Sequence, residues 1–409
     1  MEFWESEGPV EVAERTYFAS AFSNVTAFET DEGLVLIDSG VAEFAHVLAN
    51  MVRERTDAPV HTVVYTHGHV DHTAGVEEFL VEGQDEPRVV AHENVEDRFE
   101  RYAKTRGHNN VINARQFGGT PSTDGIESGE GLESDEGRFG EPEYAPDTLY
   151  RDSIVLTVGN LTFELHHGKG ETDDHTWVYC RERDVLCTGD FFVSVAPNAG
   201  NPQKVQRYPE EWSEALREMT GKGASSMCPG HGEAVVDDKD GIETRLLTTA
   251  DYLDDIVEQT LDALNTGSPP HVDIVHEVET DYDEPWLEQV YDEDEFIVRN
   301  LVRRYGGWWS GRPSELKPAS RESVASEIAE LADGAEQLAE RARELQEEGD
   351  HRLACHLADY ALESEPENED VREAVNEVYT RRADDEQSLM SSNIFMSAAA
   401  YADEGRPFR

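Results

Sequence analysis

Thr66-His67-Gly68-His69-Val70-Asp71-His72 decides how the rest of this chain is read. Three imidazoles and a carboxylate fall within six positions, directly after the apolar run Thr62-Val63-Val64-Tyr65. The chain has 409 residues and only 15 histidines, so a cluster this dense seldom arises by chance, and a surface histidine patch is the weaker alternative. A buried strand that delivers ligands into the loop at its C-terminal end is a good way to build a metal site. His67 and His69, two apart, can reach one ion, while Asp71 and His72 can turn to a second.

The H-x-H-x-D-H tract resembles the signature of the metallo-β-lactamase superfamily, and flanking segments agree with it. Leu34-Val35-Leu36-Ile37-Asp38-Ser39-Gly40 looks like that family's early strand ending in Asp-x-Gly, where Asp38 would orient a ligand. Val185-Leu186-Cys187-Thr188-Gly189-Asp190 is another strand ending in a carboxylate, and Asp190 matches the metal-bridging aspartate. Met227-Cys228-Pro229-Gly230-His231-Gly232 matches the last ligand, His231. Each alone reads as an ordinary turn; in this order and at these spacings the set is a strong signal.

One ligand departs from the common Gly-His-Thr-x-x-His. Here Gly170-Glu171-Thr172-Asp173-Asp174-His175-Thr176 puts Glu171 at the histidine position. Zinc accepts a carboxylate there as readily as imidazole. Glutamate at this place is similar to the alkylsulfatase branch. The alternatives are that Glu171 is a loop carboxylate and that His167 or His175 binds instead; His175 is otherwise expected to orient a neighbouring ligand or strand. The C-terminal part resembles the same branch. Phe296-Ile297-Val298-Arg299-Asn300-Leu301-Val302-Arg303-Arg304-Tyr305-Gly306-Gly307-Trp308-Trp309-Ser310-Gly311-Arg312-Pro313 looks like the start of the alkylsulfatase dimerisation domain, and Gly349-Asp350-His351-Arg352-Leu353-Ala354-Cys355-His356 continues it.

The resemblance implies a metallo-β-lactamase αβ/βα sandwich over residues 1–280 followed by an all-α dimerisation domain over 281–400. It implies two divalent ions, Zn²⁺ expected, with His67, His69 and Glu171 on one, Asp71, His72 and His231 on the other, and Asp190 shared. Asp71 and Asp190 are the expected catalytic carboxylates. In such a centre ions about 3.5–4 Å apart lower the pKa of water from roughly 16 to about 7, so a metal-bound hydroxide attacks an ester without a separate base. The match has gaps. Alkylsulfatases carry a further sterol-carrier-like domain for which this sequence leaves no room, their bridging carboxylate is typically Glu, and the expected sulfate arginine has no clean counterpart between Asn198 and Arg207. Lys204 and Arg207 are its substitutes. Asn109, Asn110 and Arg115, in a basic, amide-rich stretch, are further candidates for an anionic headgroup; a helix bearing arginine for local ion pairs explains that stretch equally well.

Composition bounds the rest. A chain this long has room for a large core and two domains. Net charge is −54, from 88 acidic and 34 basic residues, and only six of the latter are lysine. Acid excess with lysine depletion suits a protein kept soluble in multimolar salt, where the Debye length falls to about 3 Å or less and self-repulsion is screened. Periodic apolar residues and aromatics exclude a disordered acidic chain. The source is expected to be an extreme halophile, and nucleic-acid and anionic-membrane partners are disfavoured. Cys180, Cys187, Cys228 and Cys355 read as buried free thiols, with Cys180 and Cys187 able to face each other across a hairpin. No signal peptide or membrane span is evident, so a cytoplasmic homodimer is expected.

Along the chain, periodicity predicts two strands within 15–40, helix 41–55, strand 61–66, helix 73–81, strand 88–91 and a helix near 93–104. A long surface loop over 117–150 follows, read as a lid or a solvated insertion. Strands at 153–166, 175–181 and 184–189, helix 209–221, strand 224–228, helix 242–264 and a polar linker at 268–284 come next. Val324, Ile328, Leu331, Leu338 and Leu345 recur at helical intervals, and helices at 351–363 and 369–381 look tetratricopeptide-like. Three functions fit: hydrolysis of alkyl sulfate esters; hydrolysis of another ester, such as a thioester or lactone; or a non-catalytic dimeric interaction protein with a structural metal. Seven ligands spread over several loops argue against the last, since a structural zinc site closes on four.

Overall fold

Runs of β-branched and aliphatic residues, three to seven long, build two sheets. The computed structural model describes residues 8–117 and 142–408. The first sheet is β1 (Val10–Ala13), β2 (Thr16–Ser20), β3 (Asn24–Glu29), β4 (Leu34–Ile37), β5 (Val60–Val64), β6 (Arg88–His92) and β7 (Thr148–Tyr150), in sequence order. Its first four strands are antiparallel and the last four parallel. The second sheet has the order β12-β11-β10-β9-β8, from β8 (Ser153–Val158), β9 (Leu161–His167), β10 (Thr176–Cys180), β11 (Val185–Gly189) and β12 (Ser226–Pro229).

Alternation of side chains along each strand makes the layers. Val35 and Ile37 of β4 point inward with Val64 and Val90, against Phe163, Leu165, Val178 and Cys187 of the other sheet. Leu34 and Leu36 point outward, onto Leu48 and Val52 of α1 (Ala42–Arg53). Trp177, Leu186 and Met227 cover the opposite outer face with Trp212 and Leu216 of α5 (Pro209–Thr220) and Leu246 and Leu253 of α6 (Lys239–Thr266). The αβ/βα sandwich expected from the sequence is thus present.

Two compact units emerge. Among described residues the first holds 8–106 and 142–307, the second 107–117 and 308–408. The first therefore includes α7 (Asp294–Gly306), whose Ile297, Val298, Leu301 and Val302 are fully buried. The second comprises most of α4 (Arg106–Gln116) with α8 (Pro313–Leu316), α9 (Arg321–Leu331), α10 (Ala335–Glu348), α11 (His351–Ser364), α12 (Glu369–Asp384) and α13 (Leu389–Asp403). Its core is largely alanine, which lets helices approach closely: Ala339, Ala342, Ala354, Ala358 and Ala361 are all buried.

Several local expectations need correcting. Residues 15–40 form three strands rather than two, because the extra turn at Ala21-Phe22-Ser23 has no Gly or Pro to announce it. Helix 73–81 is only α2 (Val70–Thr73) and a 3-10 turn (Val76–Phe79); Ser39 Oγ accepts from Gly75 N at 3.2 Å and ties the chain off between them. The loop assigned to 117–150 ends in β7, and its stretch 118–141 lies outside the described residues. The linker at 268–284 packs instead, with Ile274 and Val275 buried beside α6. Leu338 and Leu345 are buried as expected, yet Val324 and Leu331 face outward while Ala325 and Ala329 turn inward. The strand register sets Cys180 opposite Val185 and Cys187 opposite Val178, so those two thiols do not face each other. Cys187 lies beside Cys228 on the parallel neighbour, and all four cysteines are free.

Candidate metal centre

Four strand ends and one loop meet in the first unit. β5 runs into Thr66 and the histidine tract; β4 ends at Asp38, β11 at Asp190, β12 just before His231, and Glu171 sits between β9 and β10. Asp38 adopts a left-handed backbone, φ +62°, a conformation uncommon for any non-glycine residue and a local cost of order 1–3 kcal/mol. What offsets it is visible. Its carboxylate accepts from Thr66 N and Thr66 Oγ1, both at 2.7 Å, and faces His72 Nδ1 at 2.8 Å. One buried carboxylate thereby fixes the end of β5 and the tilt of His72. Phe22 O, 2.6 Å from His231 Nδ1, does the same for His231.

The middle of the tract is held from another side. Asp174 Oδ2 accepts from Gly68 N at 2.9 Å and pairs at 2.9 Å with Arg98 Nε of α3 (Asn94–Lys104). Gly68 is required by this close approach, since a Cβ there would come within 2.8 Å of Arg98 Cδ and 3.0 Å of Asp174 Oδ2.

The donor atoms fall into two groups. His67, His69, Glu171 and Asp190 offer atoms within 4.8 Å of one another, and Asp71, His72 and His231 form the second such set. Asp190 touches both: Oδ2 is 3.7 Å from His67 Nε2 and 3.5 Å from His231 Nε2, and Oδ1 is 3.4 Å from His72 Nε2. Asp71 Oδ2 lies 3.6 Å from His72 Nε2 and 3.5 Å from His231 Nε2. The two candidate histidines other than these stay outside. His167 stacks on His92 at 3.7 Å, and His175 stacks on His67 at 4.0 Å with its Nδ1 2.8 Å from Thr172 Oγ1.

Electrostatics fit the site to cations. Burial holds His67 and His69 well below the usual imidazole range and His175 down to about 4. Burial acts in the same sense on His72 and His231, yet Asp190 and the neighbouring carboxylates overcome it, raising His72 strongly and His231 to about 10. Burial pushes Glu171 up to about 8 against the opposing pull of Arg207. These carboxylates call for positive charge, and His72 Nε2 and Asp190 Oδ1, both buried, have no hydrogen-bond partner. Carboxylate and imidazole donors converging in this way suit borderline divalent ions such as zinc.

The substrate candidates divide. Arg207 is buried and pairs with Glu171 Oε1 at 2.9 Å. Lys204 is half-buried in the field of Arg207, Glu171 and Asp71, and burial lowers its ammonium to about 8. Asn109, Asn110 and Arg115 lie on α4 in the second unit, where Arg115 reaches Tyr401 Oη at 3.3 Å and lies 4.5 Å from the centre of the Phe408 ring. Sequence reading gave no role to Asn198, Arg98 or Asp174. Asp174 stands inside the quoted ligand run and could have been considered; nothing local marks Arg98.

Comparison with known proteins agrees with this geometry. The metallo-beta-lactamase superfamily model matches residues 21–231, and the alkyl sulfatase dimerisation model matches residues 276–405. A linear primary-alkylsulfatase of Pseudomonas sp. (strain ATCC 19151) is 28% identical over 352 residues, covering 82% of this chain and 65% of that protein. An (R)-specific secondary-alkylsulfatase of Pseudomonas sp. is 24% identical, covering 94% of this chain and 60% of that protein. The chain thus spans less than two thirds of the length of these curated relatives. The solved structure of the stereoselective inverting sec-alkylsulfatase Pisa1 from Pseudomonas sp. superposes with a TM-score of 0.85 over 98% of this chain and 66% of that one; at 21% identity this likeness speaks to the fold.

Proposed function

This chain belongs to the metallo-β-lactamase superfamily, and from that premise we propose that it is a dinuclear metal-dependent hydrolase of alkyl sulfate esters. The observation that carries the reading is Asp190, one carboxylate within 3.7 Å of histidines from both donor groups. His67, His69 and Glu171 would hold one ion and Asp71, His72 and His231 the other, with Asp190 shared. Two divalent ions held there, zinc in this reading, would supply a nucleophile at neutral pH and offset charge on the ester oxygens. The protein's own part is positioning. Asp38 fixes His72, Phe22 O fixes His231, and Asp174 with Arg98 fixes the loop between His67 and His69. Lys204 sets a positive charge beside the acidic donors, suited to an anionic headgroup. The alkylsulfatase relatives and the dimerisation-type segment support a sulfate ester as substrate and a homodimer as the assembly.

A second reading, a hydrolase of another ester such as a thioester or lactone, is favoured by one observation. Arg207 is buried and its Nη1 is committed to Glu171. The net charge of −54 supports a halophilic origin, and among the described residues no helix is long and apolar enough to cross a membrane. Cytoplasmic placement belongs to the same proposal. Sulfate release from dodecyl sulfate, followed by ion chromatography on zinc-loaded protein in multimolar KCl, tests the first reading. Release that collapses in Glu171→Ala is expected; no release from folded, metal-replete protein overturns it in favour of the second ester class.

A further inference from the structure

Two side chains grip one oxygen of Glu171. Its Oε1 accepts from Asn198 Nδ2 at 2.5 Å and lies 2.9 Å from an Arg207 guanidinium nitrogen, while that same nitrogen also donates to the Glu171 carbonyl. Oε2 is left turned toward His69 Nδ1, 3.8 Å away. The pair that grips Oε1 is in turn set by α7 and the residues just before it. Asn300, 3% exposed, accepts from Arg207 N at 3.1 Å and donates to Arg207 O at 3.0 Å. The buried Asp292 accepts from the backbone nitrogens of Gly200 and Asn201. The loop presses so closely on α7 that a Cβ at Gly200 would come within 2.4 Å of the Phe296 carbonyl carbon.

We propose that Asn198 and Arg207 are positioning residues that hold the Glu171 carboxylate by one oxygen and turn the other to the His67–His69 donors, with Asn300 of α7 and Asp292 just before it setting the pair. The inference rests on the metal-centre reading above. A carboxylate gripped this way presents a single oxygen with little rotamer freedom left to lose, which is how second-layer partners raise metal affinity. It also gives Arg207 a duty distinct from substrate binding.

The test is zinc titration of the full chain against a chromophoric chelator in concentrated KCl, on the native protein, Asn198→Ala, Arg207→Lys, Glu171→Ala and the double variant Asn198→Ala with Glu171→Ala. Asn198→Ala is expected to weaken one of two zinc equivalents by about 10- to 100-fold and spare the other. In the Glu171→Ala background the same change should have no further effect. Arg207→Lys, which keeps the charge but cannot reach both the carboxylate and the carbonyl, should act in the same direction and guards against a folding failure at Asn198. Equal weakening of both equivalents, or effects that multiply in the double variant, would overturn the positioning role while leaving Glu171 a ligand. Unchanged zinc binding in Glu171→Ala alone would overturn the ligand assignment itself, and the proposal with it.

Discussion

The two donor groups are built differently. In the group of Asp71, His72 and His231, the two histidines are aligned by devices at strand ends: a strained Asp38 after β4 and the backbone carbonyl of Phe22 between β2 and β3. The His67, His69 and Glu171 group depends on side chains from α3 and the connecting loops, Asp174 and Arg98 for the loop and Asn198 and Arg207 for the carboxylate. One group is set by the ends of a rigid sheet, the other by a web of side chains around it. The lesson is that a shared centre can be preorganised by different means on its two sides. Sites on strands are more precisely held than sites on loops.

Asp190→Ala should do most damage, because it removes the one residue common to both groups. Loss of several kcal/mol of charge stabilisation corresponds to a fall in sulfate release on the order of 10³-fold, and metal analysis should find both equivalents weakened. Asp38→Asn asks whether the halves are separable. It should weaken zinc at the His72 side by about 10- to 100-fold and leave the Glu171 side nearly unchanged in a two-site titration; equal loss at both would erase the contrast. Gly68→Ala probes the other side through its backbone, and overpacking against Arg98 and Asp174 should lower stability to denaturant by about 1–3 kcal/mol. Thr66→Val is the mildest, removing one of the contacts on Asp38 while its backbone N–H remains. A loss of about 1 kcal/mol in the same denaturation assay is expected, with zinc stoichiometry intact.

How much of this was legible follows the same division. The histidine tract could be read because its ligands are contiguous and a strand precedes them, and Asp38, Asp190 and His231 each close an apolar run. Glu171 needed a resemblance, since a glutamate in an acidic protein carries little signal alone. Arg98 could not be found: it is one of 28 arginines, and its partner Asp174 lies 76 positions away. Turns went unread where glycine and proline are missing, as at Ala21-Phe22-Ser23, and α13 was missed because Ser391, Ser392 and a run of alanines give helical periodicity little contrast. In α9 the periodic leucine and valine suggested the inward face, but alanines set it, because close helix approach rewards small side chains.

The position of α7 has a practical meaning for anyone dividing this chain. The matched dimerisation segment begins at residue 276, yet Ile297, Val298, Leu301 and Val302 are sealed inside the unit that holds the donor atoms. Each such side chain contributes about 1.5–3 kcal/mol by its burial. A cut made where the family boundary falls would strip this helix from the sandwich, uncover the apolar faces of α6 and release the loop bearing Asn198. A fragment meant to carry the donor groups on its own has to run through Gly307.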